Sequence, residues 1–255
     1  MRFTTLFFGR FFVVNYPMKT YQAIPIDECG EPLVTIPVER FAFTLPHPYT
    51  AFGAPYGAVS PWQLRAGVLA ALDEAQARLN GMRPGWRLKL FDAYRPLSVQ
   101  RFMVWREFGC QANHRNLTLT GYDNPSDLAA RAPELYATLA PTVFEFWSMP
   151  SDDMSIPPPH STGAAIDLTL EDAQGQEVNM GCPIDETSAR AYPDHYARSV
   201  SPQERDYYAH RQLLHAAMSA AGFSRHPNEW WHFSLGDQLW AWACGKNRAR
   251  YGRVE

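Results

Sequence analysis

A short stretch, PPPHSTGAAIDLTL at residues 157 to 170, places a histidine and a carboxylate close together in the chain. His160 follows three prolines, and Asp167 lies in an alternating apolar segment between Ile166 and Leu168. Imidazole nitrogen and carboxylate oxygen are typical zinc ligands, and a buried ionised carboxylate must be paired or bound to a metal. The stretch therefore indicates part of a metal site. The alternative is a loop histidine and a hydrogen-bonded carboxylate at a strand end.

A second stretch, EWWHF at residues 229 to 233, adds two more ionisable side chains. A catalytic zinc ion usually takes three protein ligands and leaves a fourth position for water. His232 would complete such a set with His160 and Asp167, and Glu229 would be a base in a water-poor pocket. The alternative is an aromatic core strand with a hydrogen-bonded histidine. The two tryptophans between Glu229 and His232 are predicted to pack in either case.

A third stretch, FDAYRP at residues 91 to 96, places Arg95 after a predicted strand and before a proline that starts the next helix. A guanidinium group supplies fixed donors for a carboxylate or an oxyanion, and the end of a strand is a rigid place to hold it. The alternative is a surface arginine in an ordinary ion pair. The functional interpretation depends on the other two stretches.

Taken together and in this order, DAYRP, HSTGAAIDLTL and EWWHF resemble the zinc D-alanyl-D-alanine dipeptidases associated with vancomycin resistance, within the wider D,D-peptidase and Hedgehog-type metallopeptidase family. The resemblance extends from about Ile24 to Leu235. It implies hydrolysis of D-Ala-D-Ala or a closely related short D-amino-acid dipeptide, with one zinc ion (Zn2+) per chain. It assigns the zinc ligands to His160, Asp167 and His232, the catalytic base to Glu229, and stabilisation of the developing oxyanion to Arg95.

The segment NMGCPIDE at residues 179 to 186 resembles a further family motif, whose aspartate binds the free ammonium group of the substrate. The resemblance makes Asp185 the substrate-binding residue; without it, Asp185 would be interpreted as an exposed loop acid beside Glu186. One position departs from the family pattern. The family usually has serine two residues before the first histidine ligand, and Pro158 stands there in this chain. The missing hydroxyl leaves the exact substrate preference open.

Hydrophobic spacing predicts the elements that must position these residues. Helices are predicted over residues 61–80, 96–109 and 202–222, and strands over 86–94, 164–170 and 229–235. Ser60 and Pro61 are the predicted start of the first helix, and Gly81 its end. Because helices and strands do not alternate strictly, we expect an α+β fold with helices packed on a small, largely antiparallel sheet.

Composition limits the possible partners and compartments. The 255 residues carry a net charge of −3 without basic clusters, so nucleic acid is not an expected partner. The four cysteines are far apart and show no metal-binding or disulfide spacing, which favours the cytoplasm, with the periplasm as the alternative. A small D-amino-acid dipeptide is the expected partner, no membrane association is expected, and the oligomeric state is open.

The N-terminal residues contain two short apolar runs that flank Arg10. The break at Arg10, the weak basic start and the missing cleavage site argue against a signal peptide, and the runs are too short to span a membrane. Residues 1–17 are therefore predicted to be a flexible tail or a start-site extension before Met18. Residues 18–255 are predicted to form a single zinc peptidase domain.

Two other functions remain open at this point. The chain could be a D,D-carboxypeptidase or endopeptidase that acts on longer muropeptides, or a zinc-stabilised binding module without catalysis. The carboxypeptidase would need an exported protein with an open cleft, and the binding module would not need Glu229 and Arg95. Ordinary structural roles are predicted for the remaining histidines, His47, His114, His195, His210, His215 and His226.

Overall fold

The computed structural model describes residues 19–254. The α-helices are α1 (Pro48–Ala51), α2 (Ala66–Met82), α3 (Leu97–His114), α4 (Pro125–Arg131), α5 (Pro133–Phe146), α6 (Pro202–Ala220) and α7 (Gln238–Ala243). The strands are β1 (Leu33–Thr35), β2 (Ala42–Phe43), β3 (Gln63–Arg65), β4 (Arg87–Asp92), β5 (Ala165–Glu171), β6 (Ser224–Arg225) and β7 (His232–Ser234). Short 3-10 helices occupy Thr20–Ala23, Pro159–Thr162 and Ala189–Ala191. The tail or extension predicted for residues 1–17 lies outside the described residues.

A five-stranded sheet with the order β2-β4-β5-β7-β6 carries the residues of interest. Strands β2 and β4 pair in parallel, whereas β4 with β5, β5 with β7 and β7 with β6 pair antiparallel. A separate antiparallel pair joins β1 and β3. The expected α+β fold, with helices on a small and largely antiparallel sheet, is confirmed. Between residues 19 and 254, no helix is long and apolar enough to cross a lipid bilayer.

Strand β5 shows why a carboxylate is tolerated between two aliphatic residues. Successive side chains of a strand point to opposite faces of the sheet. Ile166 and Leu168 belong to the main core, together with Leu72 of α2 and Leu214 of α6. Asp167 is therefore directed to the other face, away from the helices α2 and α6. One face of β5 builds the core, and the other carries the candidate site.

Helices α3, α4 and α5 form a second apolar cluster, which includes Phe108, Leu128, Leu139 and Val143. The hydrophobic spacing predicted α3 but not α4 or α5. Both missed helices begin with a proline, and α5 contains another inside it. Proline is well suited to the first turn of a helix, but in a sequence it marks loops equally well. The cluster supports α3, which begins directly after Arg95 and Pro96.

The first predicted helix begins later than the sequence indicated. Residues 63–65 form β3 and pair with β1, so α2 starts at Ala66 instead of Pro61. The helix also continues through Gly81 to Met82. The pairing of β3 with a strand about thirty residues away overrides the local helical spacing, and local patterns contain no information about such a partner.

Candidate metal centre and active site

Three adjacent strands bring acidic and imidazole side chains together. Asp167 in β5 lies opposite His232 in β7, and on its other side it lies opposite Asp92 in β4. The register of β4 against β5 shifts between Leu90 and Asp92, which allows this alignment. All three polar side chains are buried. Because directly paired residues share one face of a sheet, the strands place them side by side.

His160 reaches the same place from the short helix at Pro159–Thr162, just before β5. Gly163 ends this helix with a φ of 70°, and a Cβ at that position would lie 2.3 Å from a leucine side chain. Glycine is therefore required for the close turn. The Arg95 backbone N–H donates to the His160 carbonyl at 3.2 Å, and the Ser161 hydroxyl donates to the Arg95 carbonyl at 2.8 Å. These two bonds fix the histidine turn to the end of β4.

Hydrogen bonds decide which nitrogen of each imidazole is free. Nδ1 of His160 lies 2.7 Å from the carbonyl oxygen of Ala93, which can only accept, so Nδ1 carries the proton. Nε2 of His232 lies 3.2 Å from the hydroxyl of Ser234, which itself donates to Asp237 Oδ2 at 2.7 Å. Nε2 of His232 must therefore donate. The lone pairs of His160 Nε2 and His232 Nδ1 are left for another partner.

These two lone pairs converge with the carboxylate of Asp167. His160 Nε2 lies 3.1 Å from His232 Nδ1 and 3.2 Å from Asp167 Oδ2, and His232 Nδ1 lies 3.1 Å from Asp167 Oδ1. In a tetrahedral zinc site with bonds of about 2.0–2.1 Å, two donor atoms are about 3.3 Å apart. Asp167 Oδ1 is buried and accepts no hydrogen bond from the described residues. A cluster of acceptors without donors fits a cation, so the residues suit a zinc-type metal ion.

The strand predicted over residues 229–235 is shorter in the structure, where β7 spans only His232–Ser234. Glu229 therefore lies in the loop before β7. The backbone N–H of Trp230 donates to the carbonyl of Ala191 at 3.0 Å, and the buried indole ring anchors the loop in the core. The Glu229 carboxylate consequently lies 3.6 Å from His232 Nδ1 and 3.7 Å from His226 Nδ1. It stands at the edge of the cluster rather than inside it.

Asp167 and Glu229 are both buried, but their surroundings drive their pKa values apart. Burial acts to raise the pKa of Asp167, and the neighbouring His160 and His232 outweigh it, so this pKa lies below its ordinary value. For Glu229, burial and the charge of Asp167 raise the pKa to about 8. One carboxylate is thus suited to hold a cation and the other to exchange a proton near neutral pH.

Arg95 is held rigidly at the end of β4. Its Nε and Nη2 donate to Asp92 Oδ2 at 3.1 and 2.8 Å, and its Nη1 donates to Gln100 Oε1 at 2.8 Å. Nη2 also lies 3.1 Å from the Tyr49 hydroxyl and 3.4 Å from Asp167 Oδ2. In the described chain, the second N–H of Nη1 has no acceptor. One guanidinium donor therefore remains for a ligand next to the cluster.

Asp185 is connected to the same network from another side. The hydroxyl of Tyr49, which accepts from Arg95, donates to Asp185 Oδ1 at 3.1 Å. Asp185 has a φ of 66°, a left-handed backbone that is uncommon outside glycine. Burial, followed by the charge of Asp167, raises the pKa of Asp185 to about 8. A cation beside Asp185 would stabilise its ionised form.

The predicted site residues, Arg95, His160, Asp167, Asp185, Glu229 and His232, all line one cavity, which we call the central pocket. Its walls also include Gln100, Phe146, Trp147, Ser148, His226 and Trp231. Pro158, which stands where the family usually has serine, cannot donate a hydrogen bond to a ligand, because it has neither a hydroxyl nor a backbone N–H.

Several residues that shape the pocket were not predicted from the sequence. His226 lines it although an ordinary structural role was predicted, and no local signal distinguishes this histidine from the others. His47 Nε2 lies 3.0 Å from Asp92 Oδ1, and the Tyr56 hydroxyl donates to the same oxygen at 3.1 Å. Asp92 could have been found, because it is a carboxylate in an alternating apolar strand, as Asp167 is.

The bond from His232 to Ser234 yields a prediction about metal affinity. A Ser234→Ala variant is expected to bind the metal about 10- to 100-fold more weakly, because His232 Nε2 loses the acceptor that fixes its tautomer. Competition with a chelator of known affinity measures the change. Ser219→Ala, an exposed change on α6, is the matched control. Equal affinities for the two variants would contradict the proposed orientation of His232.

Comparison with known proteins places the chain in a family. A family model described as D-ala-D-ala dipeptidase, Peptidase_M15, matches residues 44–249. A D-alanyl-D-alanine dipeptidase from Synechocystis sp. is 44% identical over 252 residues, which cover 94% of this chain and 98% of the relative. Another from Enterococcus faecalis is 30% identical over 173 residues, 67% of this chain and 72% of the relative. A third, from Escherichia coli, is 41% identical over 83 residues, 32% of this chain and 40% of the relative. The chain therefore belongs to the M15 peptidase family, the D-Ala-D-Ala dipeptidases.

Proposed function

We propose that this peptidase is a zinc-dependent dipeptidase that hydrolyses D-Ala-D-Ala or a closely related short D-amino-acid dipeptide. The observation that carries the proposal is the acceptor cluster of His160, Asp167 and His232, with Glu229 and Arg95 beside it in one pocket. The names of the similar proteins agree with this activity. A binding module without catalysis would not require a buried proton acceptor and a free guanidinium donor at the same cluster.

Zinc is the proposed metal, with one ion per chain. Two imidazole nitrogens and one carboxylate oxygen form a donor set that zinc prefers, and they leave a position for water or substrate. When bound, zinc would act as a Lewis acid and would lower the pKa of a coordinated water toward neutrality. His160, Asp167 and His232 are the proposed ligands.

Glu229 and Arg95 are the proposed catalytic residues. Glu229 is positioned to accept a proton from the attacking water and to deliver it to the leaving amine. The free N–H of Arg95 Nη1 is available to the oxygen on which negative charge develops. Because Asp92 and Gln100 hold the guanidinium in place, this donor is oriented before the substrate arrives.

Asp185 is the proposed binding residue for the free ammonium group of the substrate. It lines the central pocket beside Tyr49 and lies near enough to Asp167 for that charge to raise its pKa. A substrate ammonium would relieve this repulsion, whereas a substrate without a charged amino group would leave the half-buried carboxylate without a counter-charge. The site should therefore select dipeptides with a free N-terminus over longer peptides.

The experiment that tests this function compares two substrates on the zinc-loaded protein. D-Ala-D-Ala is expected to be cleaved, and N-acetyl-D-Ala-D-Ala is expected to have a kcat/KM at least about 10-fold lower, because a hydrogen bond to a charged group contributes about 1.5–3 kcal/mol. Asp185→Asn should lose activity on the free dipeptide while it retains the metal. Asp194→Asn, at an exposed loop position, is the control. A kcat/KM ratio near one would make a D,D-carboxypeptidase the better assignment.

The free cysteines also support a proposal about the cellular compartment of the protein. All four cysteines, Cys29, Cys110, Cys182 and Cys244, are free thiols in the structure. This supports a reducing compartment, and we propose the cytoplasm over the periplasm. A small dipeptide is the proposed partner. The assignment of residues 18–255 to one zinc peptidase domain also remains a proposal.

A further inference from the structure

His226 stands at the end of a row of polar side chains that crosses the five-stranded sheet. It directly follows β6, and its backbone N–H donates to the carbonyl of His232 at 2.9 Å. This bond continues the antiparallel register of β6 and β7, so His226 lies opposite His232. Asp167 lies on the other side of His232, and Asp92 lies beyond Asp167. The proposed metal ligands therefore occupy the middle of the row, and His226 occupies one end.

The ring of His226 is held in a fixed position. Its Nδ1 accepts the backbone N–H of Asn228 at 3.2 Å, and only 6% of the residue is exposed. The ring centroid lies 5.5 Å from that of His232, with the two planes at 68°. The imidazole is thus a rigid surface directly beside a proposed metal ligand.

The same ring borders a second cavity, which we call the outer groove and which is lined by residues 192–194, 223–227 and His215. Of the described residues that line the central pocket and the outer groove, His226 alone belongs to both. Beside it, Phe146 of the central pocket contacts Tyr192 of the outer groove, with ring centroids 6.1 Å apart. His226 and this aromatic pair therefore form the wall between the two cavities.

The position of Asp185 gives the direction of a bound dipeptide. The Tyr49 hydroxyl lies 3.1 Å from both Asp185 Oδ1 and Arg95 Nη2, and Arg95 pairs with Asp92 at 2.8 Å. Asp185 therefore belongs to the Asp92 end of the row. With the substrate ammonium bound there and the scissile carbonyl at the metal cluster, the second residue of the dipeptide extends toward His226.

We propose that His226 closes the central pocket behind the second residue of the dipeptide and thereby excludes peptides that continue beyond it. The inference rests on the dipeptidase function proposed above, and it adds a limit at the carboxyl end of the substrate to the one that Asp185 sets at the amino end. An extended residue spans about 3.3–3.6 Å, so two residues after the scissile bond need about 7 Å. The His226 ring, 5.5 Å from the His232 ring, leaves room for one.

The test compares D-Ala-D-Ala with D-Ala-D-Ala-Gly, which has the same ammonium group and the same first peptide bond but one more residue at its carboxyl end. Hydrolysis of that bond in the tripeptide releases D-Ala and D-Ala-Gly, and the second product is measured. In the parent, kcat/KM for the tripeptide should be at least about 10-fold lower than for the dipeptide. His226→Ala should raise the tripeptide-to-dipeptide ratio by at least about 10-fold, because the added residue can enter the outer groove.

Two further variants separate the wall from other effects of the substitution. His226→Phe retains a ring of similar size without the nitrogens, so it should keep the low ratio of the parent. His215→Ala is the matched control, because His215 lines the outer groove but not the central pocket. It widens the groove without opening the wall, and it should also keep the low ratio. A gain on the tripeptide cannot result from loss of structure or of zinc.

Three results would overturn the inference. The parent could cleave both peptides equally well, a folded and zinc-loaded His226→Ala protein could keep the low ratio, or His226→Phe could raise the ratio as much as His226→Ala does. If the alanine variant does not fold, His226→Asn gives the same comparison, because its shorter side chain can still accept the Asn228 backbone N–H. If the parent hydrolyses neither peptide, the proposed function itself is wrong, and this outcome is distinct from the other three.

Discussion

A Glu229→Gln variant is expected to keep its zinc and to lose at least about 100-fold in kcat for D-Ala-D-Ala, within the range that general-base catalysis contributes. Glutamine has nearly the same shape as glutamate but cannot accept a proton at neutral pH. The carboxylate stands 3.6 Å from His232 Nδ1, outside the acceptor cluster, so its replacement leaves the proposed metal ligands intact. Metal analysis and steady-state kinetics on the same preparation measure both effects.

Glu145→Gln is the matched control for this experiment. Glu145 is an exposed glutamate on α5 and does not line the central pocket. The side chain of Asn228, the residue before Glu229, donates to the backbone carbonyl of Glu145 at 3.1 Å, so the control reports any indirect effect of removing a negative charge in this region. Near-normal turnover of a zinc-loaded Glu229→Gln protein would contradict the assignment of the base. Loss of zinc from that variant would instead indicate that Glu229 is a metal ligand.

The sequence was sufficient to predict which residues form the acceptor cluster of His160, Asp167 and His232, because each lies in a short motif with its own local signal. Asp167 interrupts an apolar strand, and a buried carboxylate needs a partner. His160 follows prolines that define a turn, and His232 follows two tryptophans that pack in the core. The family membership inferred from the three motifs is confirmed, whereas the roles of the individual residues are still predictions.

The network around Asp92 could not be predicted, because it depends on contacts between residues distant in the chain. His47, Tyr49 and Tyr56 lie in and around the short helix α1, about forty residues before Arg95. Spacing rules describe one helix or strand at a time and do not specify which loop packs against its end.

Arg95→Lys is expected to lower kcat for D-Ala-D-Ala by about 100- to 1000-fold, the usual cost of removing a donor to a developing oxyanion. The guanidinium contacts Asp92 through two nitrogens and reaches Gln100 with a third, and one N–H of Nη1 has no acceptor among the described residues. A lysine ammonium is a single point of charge on a flexible chain. It can pair with Asp92 or reach the oxyanion, but it cannot do both in the fixed geometry that Arg95 provides.

Loss of activity in Arg95→Lys must be separated from loss of structure, because Arg95 is buried with Asp92. Arg101→Lys is the control: Arg101 lies on the exposed side of α3 and pairs with Asp152 at 2.6 Å. Thermal unfolding and zinc content are measured for both variants beside kcat and KM. If Arg95 acts on the oxyanion, kcat falls in folded, zinc-loaded protein while KM changes little, since that contact strengthens only as the charge develops. A raised KM with unchanged kcat would instead assign Arg95 to substrate binding, and the free N–H of Nη1 would then be a ground-state contact.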